Sequence, residues 1–182
     1  MRPTNAGIRQ SWLYLFGPNA IILKAKCIMS EKATRHMALA LKEAEAAASR
    51  SEVPVGAVLV APDGRPFASD GNRTLERNDP TAHAEILVIR HACQATGSQR
   101  LPGFDLYVTL EPCAMCAAAI SFARIRRLYF AAPDPKSGGV EHGAAFFQRD
   151  TCHHAPEVYG GIAETEAADL LKRFFAARRG EN

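Results

Sequence analysis

The stretch TLEPCAMCAAA, residues 109–119, places Cys113 and Cys116 three positions apart, directly behind Pro112. The residues before it, DLYVTL (105–110), are β-branched and apolar and read as a strand. The Ala-rich run that follows, 113–123, reads as a short helix. A strand feeding a helix through Pro-Cys-x-x-Cys puts both thiols on one face of a first helical turn. A helix N-terminus favours negative charge and lowers a thiol pKa, so thiolates there suit a soft cation. A Cys-x-x-Cys alone also fits a redox pair or two small core residues. Two thiolates do not complete a tetrahedral zinc site, so the reading depends on what else reaches them.

The stretch DPTAHAEILVIRHA, residues 79–92, supplies a partner. With Thr81 as cap, a helix runs to about Ala95, and Ala84, Leu87, Val88, His91 and Ala92 share one face. His83 and Glu85 then fall in its first turn. Both helices begin at the carboxyl end of a sheet, where open α/β folds place their sites. His83, Cys113 and Cys116 make three protein ligands and leave a fourth position for water, the catalytic rather than the structural zinc pattern. Glu85, two residues from His83, is placed to carry protons to and from that water.

The remainder is an alternation of helices and strands. Residues 31–50 read as an amphipathic helix capped by Ser30, with Ala33, Met37, Ala40, Leu41, Ala44 and Ala48 at helical spacing. VPVGAVLVA (53–61) reads as a buried strand, 66–71 as its hairpin partner and 127–132 as a further strand. Residues 133–159 read as long and irregular, and 164–179 as a last helix. Four strands are legible, in an order that implies one three-layer α/β domain.

Composition sets outer bounds. Of 182 residues, 47% are hydrophobic and 23% charged, as in an ordinary globular protein. Five cysteines, scattered along the chain, are not a disulfide framework and read as a reducing, cytoplasmic compartment. No apolar run approaches the length of a membrane span. The net charge of +3 is local: Arg2, Arg9, Lys24 and Lys26 precede the first acidic residue, and without them 18 Lys and Arg face 19 Asp and Glu. Bulk charge therefore does not mark the body of the chain as a nucleic-acid binder. Residues 1–29 read as an extension, either a disordered tail or a mis-called start upstream of Met29.

His-x-Glu at one helix start, then Pro-Cys-x-x-Cys at the next, resembles the cytidine/deoxycytidylate deaminase superfamily. The further stretches EVPVGAVLV (52–60), NR (72–73), DPTAHAEI (79–86), LYVTLEPCAMCAAAI (106–120), RI (124–125) and DPKSGG (134–139) look like its bacterial tRNA-specific adenosine deaminase branch. Together they span most of residues 31–179. The resemblance implies a three-layer α/β/α cytidine-deaminase-like fold around a mixed five-stranded sheet, with residues 30–182 as the deaminase domain. It implies one Zn2+ per chain held by His83, Cys113 and Cys116, with Glu85 as the catalytic proton carrier. The expected reaction is hydrolytic conversion of adenosine to inosine at the wobble position of a tRNA anticodon stem-loop, by a cytoplasmic homodimer with no membrane association.

By the same resemblance Asn72 hydrogen-bonds the purine, Ala84 lies against the ring, and Val55 and Pro54 line the floor. Asp134 and Lys136 approach the ribose and phosphate. Read locally, Asn72 also fits a turn residue after Gly71, and Asp134 and Lys136 a Pro-flanked surface turn. Cys152-His153-His154 offers too few ligands for a second metal, and a histidine there suits stacking on a base. A deaminase of a free nucleobase or nucleoside, guanine or cytosine, would carry the same zinc site. A structural zinc module would not need the free carboxylate of Glu85. Residues 140–160 match the tRNA branch least.

Overall fold

The computed structural model describes residues 31–179. Ser30 and the N-terminal extension lie outside them. Helix α1 (Glu31–Ser49) leads into the hairpin β1 (Gly56–Val60) and β2 (Pro66–Gly71). Helix α2 (Ala84–Thr96), β3 (Asp105–Leu110), α3 (Ala114–Phe122) and β4 (Arg127–Ala132) follow. The stretch expected to be irregular contains a 3-10 turn at Phe146–Gln148 and a short fifth strand, β5 (Glu157–Gly160). Helix α4 (Glu164–Arg179) closes the domain.

The sheet order is β2-β1-β3-β4-β5. β1 runs antiparallel to both β2 and β3, while β4 is parallel to β3 and β5 to β4. Four strands therefore point one way and β1 alone points back. The sheet is mixed and five-stranded, as the resemblance implied.

Side-chain alternation along the strands divides the core in two. Ala57, Leu59, Leu106, Val108, Leu128 and Phe130 pack with Val88 and Ala92 of α2 and Ile120 of α3. Val58, Val60, Tyr107 and Ala131 point to the other face, against Ala33, Met37 and Ala40 of α1 and Ala167 of α4. The result is a helix pair on each side of one sheet. Small residues let α1 lie close: a Cβ at Gly56 would collide with the backbone oxygen of Ala40. On the α1 face, Tyr107, Tyr129 and Tyr159 stand in register on three adjacent strands, their rings stacked at 4.4 and 4.9 Å.

Two sequence expectations change in detail. The buried stripe of α1 runs through His36, Met37, Ala40, Ala44 and Ala47, with Ala48 and Leu41 only half-buried. His91 is exposed and leaves the apolar face of α2.

Candidate active site

β2 and β3 share a direction, so the helices that follow them begin at the same edge of the sheet. That shared edge is what brings His83 to the two cysteines, thirty and thirty-three residues away. α2 starts at Ala84, with His83 as its extended N-cap, rather than at Thr81. The Thr81 N–H and hydroxyl instead both donate to Asp79 Oδ1, at 2.8 and 2.6 Å, in a turn that precedes the helix. α3 starts at Ala114, with Cys113 as its extended N-cap and Cys116 one turn in.

Nδ1 of His83 lies 3.8 Å from Cys113 Sγ and 3.5 Å from Cys116 Sγ. The three ligand atoms all fall within 4.8 Å of one another. Zinc bonds of about 2.0 Å to nitrogen and 2.3 Å to sulfur, at tetrahedral angles, require N···S separations of about 3.5–3.6 Å. The cluster fits zinc. The charge state suits it too. A hydrogen bond from Cys116, against the opposing effect of burial, holds the Cys113 thiol down to about 4. The same hydrogen bond, and then burial, drives Cys116 up. Contact with Cys113 raises the His83 pKa against the effect of burial. A thiolate at Cys113 lies at the start of α3, where the helix dipole stabilises negative charge.

Glu85 is 3% exposed. Its Oε2 is buried without a hydrogen-bond partner among the described residues. Burial raises its pKa above the ordinary carboxylate value. A buried, unpaired carboxylate oxygen is costly, and its persistence beside a three-ligand cluster marks chemistry rather than stability.

The expected substrate residues fall into two groups. Pro54, Val55, Asn72 and Ala84 are all buried near the start of α2. Asn72 Oδ1 accepts the Ala84 N–H at 2.9 Å, and the Asn72 N–H donates to Val55 O at 2.9 Å. Asn72 is therefore more than a turn residue: its carbonyl caps α2, leaving its amide nitrogen without a bond among the described residues. Asp134 is half-buried and closes a turn, its Oδ1 accepting the N–H groups of Lys136 and Ser137. Lys136 is exposed.

Two buried carboxylates escaped sequence reasoning. Glu52 accepts from the Thr74 hydroxyl and from the N–H groups of Leu75 and Glu76, and so anchors the loop between β2 and α2. Glu111 does the same for the loop after β4. Burial pushes the Glu111 pKa up, but N–H bonds from Asp134 and His142, with the His142 imidazole, bring it below the usual range. Their place beside the two motif segments, EVPVG and LEPC, was the signal available.

Other singled-out residues are used locally. The Cys152 thiol donates to His154 O, and His154 Nε2 meets Ile125 O at 2.6 Å, so this trio packs the chain against β4. Arg178 of α4 lies over the Phe174 ring and donates to Ser51 O, tying α4 to the end of α1. A cleft of about 760 Å³ opens between β2 and α2, lined by Asp70, Arg77, Arg90, His91 and Gln94. It includes none of the ligand or substrate candidates. The site is defined by converging side chains, not by that concavity.

The shared sheet edge, the two helix N-caps and the His-Cys-Cys cluster describe a zinc-dependent deaminase. Residues 30–132 match the cytidine and deoxycytidylate deaminase zinc-binding region, and the chain belongs to that family. Within it, the chain is 65% identical over 151 residues to the tRNA-specific adenosine deaminase of Agrobacterium fabrum (strain C58 / ATCC 33970), covering 83% of this chain and 98% of that one. It is 42% identical to the tRNA-specific adenosine deaminase of Bacillus subtilis (strain 168), covering 79% and 89%. A solved structure from work on A-to-I editing by tRNA:A34 deaminases at the wobble position is 67% identical, with a TM-score of 0.74 over 76% of this chain and 99% of that one. A guanine deaminase from Nitrosomonas europaea, 24% identical with a TM-score of 0.66 over 82% and 86%, shares the fold.

Proposed function

We propose that this enzyme hydrolyses adenosine to inosine at the wobble position of a tRNA anticodon loop. The observation that carries deamination is the buried, unpartnered Oε2 of Glu85 beside three ligands that leave a fourth position open. A structural zinc site would fill that position and would have no use for a free carboxylate. The tRNA substrate is supported by the high identity to relatives of that name across nearly their whole length.

His83, Cys113 and Cys116 are assigned as the zinc ligands. Zinc held there supplies a Lewis acid that makes water nucleophilic at neutral pH. Glu85 takes a proton from the attacking water and delivers it to a ring nitrogen of the adenine. It then takes the remaining proton of that water from the hydroxyl now bonded to the ring carbon and passes it to the departing amine, so water and adenosine become inosine and ammonia. The free amide nitrogen of Asn72 hydrogen-bonds the purine, while Val55 and Ala84 bound the pocket. Asp134 and Lys136 stand at the rim for the ribose and phosphate. A loop nucleotide is already unpaired, so extruding it costs little.

The deaminase domain is residues 30–182, and residues 1–29 are an extension outside the described residues. The working form is a cytoplasmic homodimer. Phe122, 72% exposed at the end of α3, is a large apolar side chain that a second copy would cover. No helix among the described residues is long and apolar enough to cross a membrane.

The test is to measure zinc per chain and then offer an anticodon stem-loop bearing wobble adenosine beside free guanine and cytosine. Inosine in the stem-loop is the expected result. Turnover of a free base with no inosine in the RNA would replace this reading with a free-base deaminase.

A further inference from the structure

Glu111 lies between β3 and Pro112, and its side chain is wholly buried (0% exposed). One of its oxygens, Oε1, accepts the N–H groups of Val140, Glu141 and His142 at 3.1, 2.8 and 3.0 Å. The other, Oε2, accepts the Asp134 N–H at 3.0 Å and meets His142 Nδ1 at 2.7 Å. Both ends of one loop thus converge on a single carboxylate. Among side chains, only a carboxylate offers acceptors alone, about four lone pairs on two oxygens. An amide in its place would turn two donors toward donors.

The anchored loop lies directly on the start of α3. The Gly139 N–H donates to Pro112 O at 2.8 Å, and Gly138 bridges to Cys113. A Cβ at Gly138 would come within 2.5 Å of Glu111 Oε1, and one at Gly139 within 2.5 Å of the Ala114 nitrogen. The loop passes with room for no side chain at either point. The same loop carries the half-buried Asp134 and the exposed Lys136.

We propose that Glu111 is a positioning residue of the deaminase. From beneath, it holds the Asp134–His142 loop in one place against α3, and so fixes where the rim meets the nucleotide. This rests on the substrate reading above, in which that rim faces the RNA. Glu85 and His83 are held separately, through the Asn72 cap on α2, and Cys116 sits one turn inside α3. Of the ligands Cys113 alone touches the loop, through the Gly138 bridge, and it is also tied into α3 by the bond from Ala117 N–H to Cys113 O. Loosening the loop therefore weakens substrate seating more than the chemical step.

The experiment compares Glu111→Gln with the unaltered chain by steady-state kinetics on the stem-loop, zinc per chain and amide hydrogen exchange. Losing acceptors for several buried donors should raise KM by about tenfold or more while kcat changes by less than about threefold. Zinc should remain at one per chain, and the amides of Val140, Glu141 and His142 should exchange faster. A merely structural role would instead lower zinc occupancy and kcat together at unchanged KM. That pattern, or unchanged KM with unchanged exchange, overturns the proposal. If Glu111→Gln does not fold, His142→Ala removes only the imidazole contact and should give the same split at smaller size, with an unchanged KM counting against the proposal. If the unaltered chain forms no inosine, the substrate reading fails, and the exchange rates alone decide whether Glu111 holds the loop.

Discussion

Asn72 and Ala84 are joined side chain to backbone: Asn72 Oδ1 accepts the Ala84 N–H at 2.9 Å. His83, the N-cap of α2, makes no side-chain cap bond of its own. A residue from another loop therefore caps the helix that presents His83 and Glu85. Asn72→Ala should destabilise the domain by about 1–2 kcal/mol, the usual cost of a lost cap, and lower turnover. Asn72→Asp keeps the acceptor and removes the amide donor. It should retain most of the stability while still losing activity, as read by urea unfolding beside inosine formation. Equal activity in Asn72→Asp and the unaltered chain would leave Asn72 with the capping role alone.

Glu85→Ala should keep one zinc per chain and the fold while inosine formation falls by at least about a hundredfold, the scale of a positioned proton transfer. Its thermal midpoint should not drop, because the change removes a buried oxygen with no partner. Loss of zinc from this variant would show that Glu85 is a ligand.

Cys116→Ser should behave in the opposite way. Cys116 is fully buried and is one of only three ligand groups in the cluster. Metal analysis should find little zinc, and the thermal midpoint should fall to that of the chelator-treated enzyme, since binding energy at such a site is also folding energy.

Acid should unfold the domain partly through Glu52. Burial pushes its pKa up, but bonds from the Glu76 N–H, the Thr74 hydroxyl and the Leu75 N–H outweigh it and bring it below 4.5. As pH falls, the unfolded chain takes up the proton first. The contribution is thus complete above the unfolded pKa and is lost as pH falls through the folded one. Urea midpoints should decline between about pH 5 and pH 3, and Glu52→Gln should flatten that decline while costing about 1–3 kcal/mol at neutral pH.

RNA affinity should depend on a few exposed cations. Arg178 is committed to Phe174 and Ser51, so its reversal would damage α4 itself. Arg173 and Arg179 are exposed. Arg173→Glu with Arg179→Glu should raise KM for the stem-loop and reduce its logarithmic salt slope by about 1–2, at unchanged zinc content. A chain beginning at Met29 should keep the full slope. A large loss there would make residues 1–28 an RNA-binding arm.

The chemistry-bearing residues were legible because they are local. Cys-x-x-Cys and His-x-Glu each span less than one helical turn, and the helical pattern that follows each places the pair at or just before a helix start. β2 and α4 were legible for the same reason, matching the expected 66–71 and 164–179. What the sequence did not determine depends on partners far along the chain. Thr81 looks like a cap, but Asn72 caps α2 at Ala84, and only the folded hairpin brings that acceptor there. β5 is four residues long, and its parallel pairing with β4 shows no periodicity of its own. Glu52 and Glu111 look like surface charges in the chain. Tertiary structure alone surrounds each with backbone N–H groups from a loop more than twenty residues away, and so makes burying a carboxylate stable.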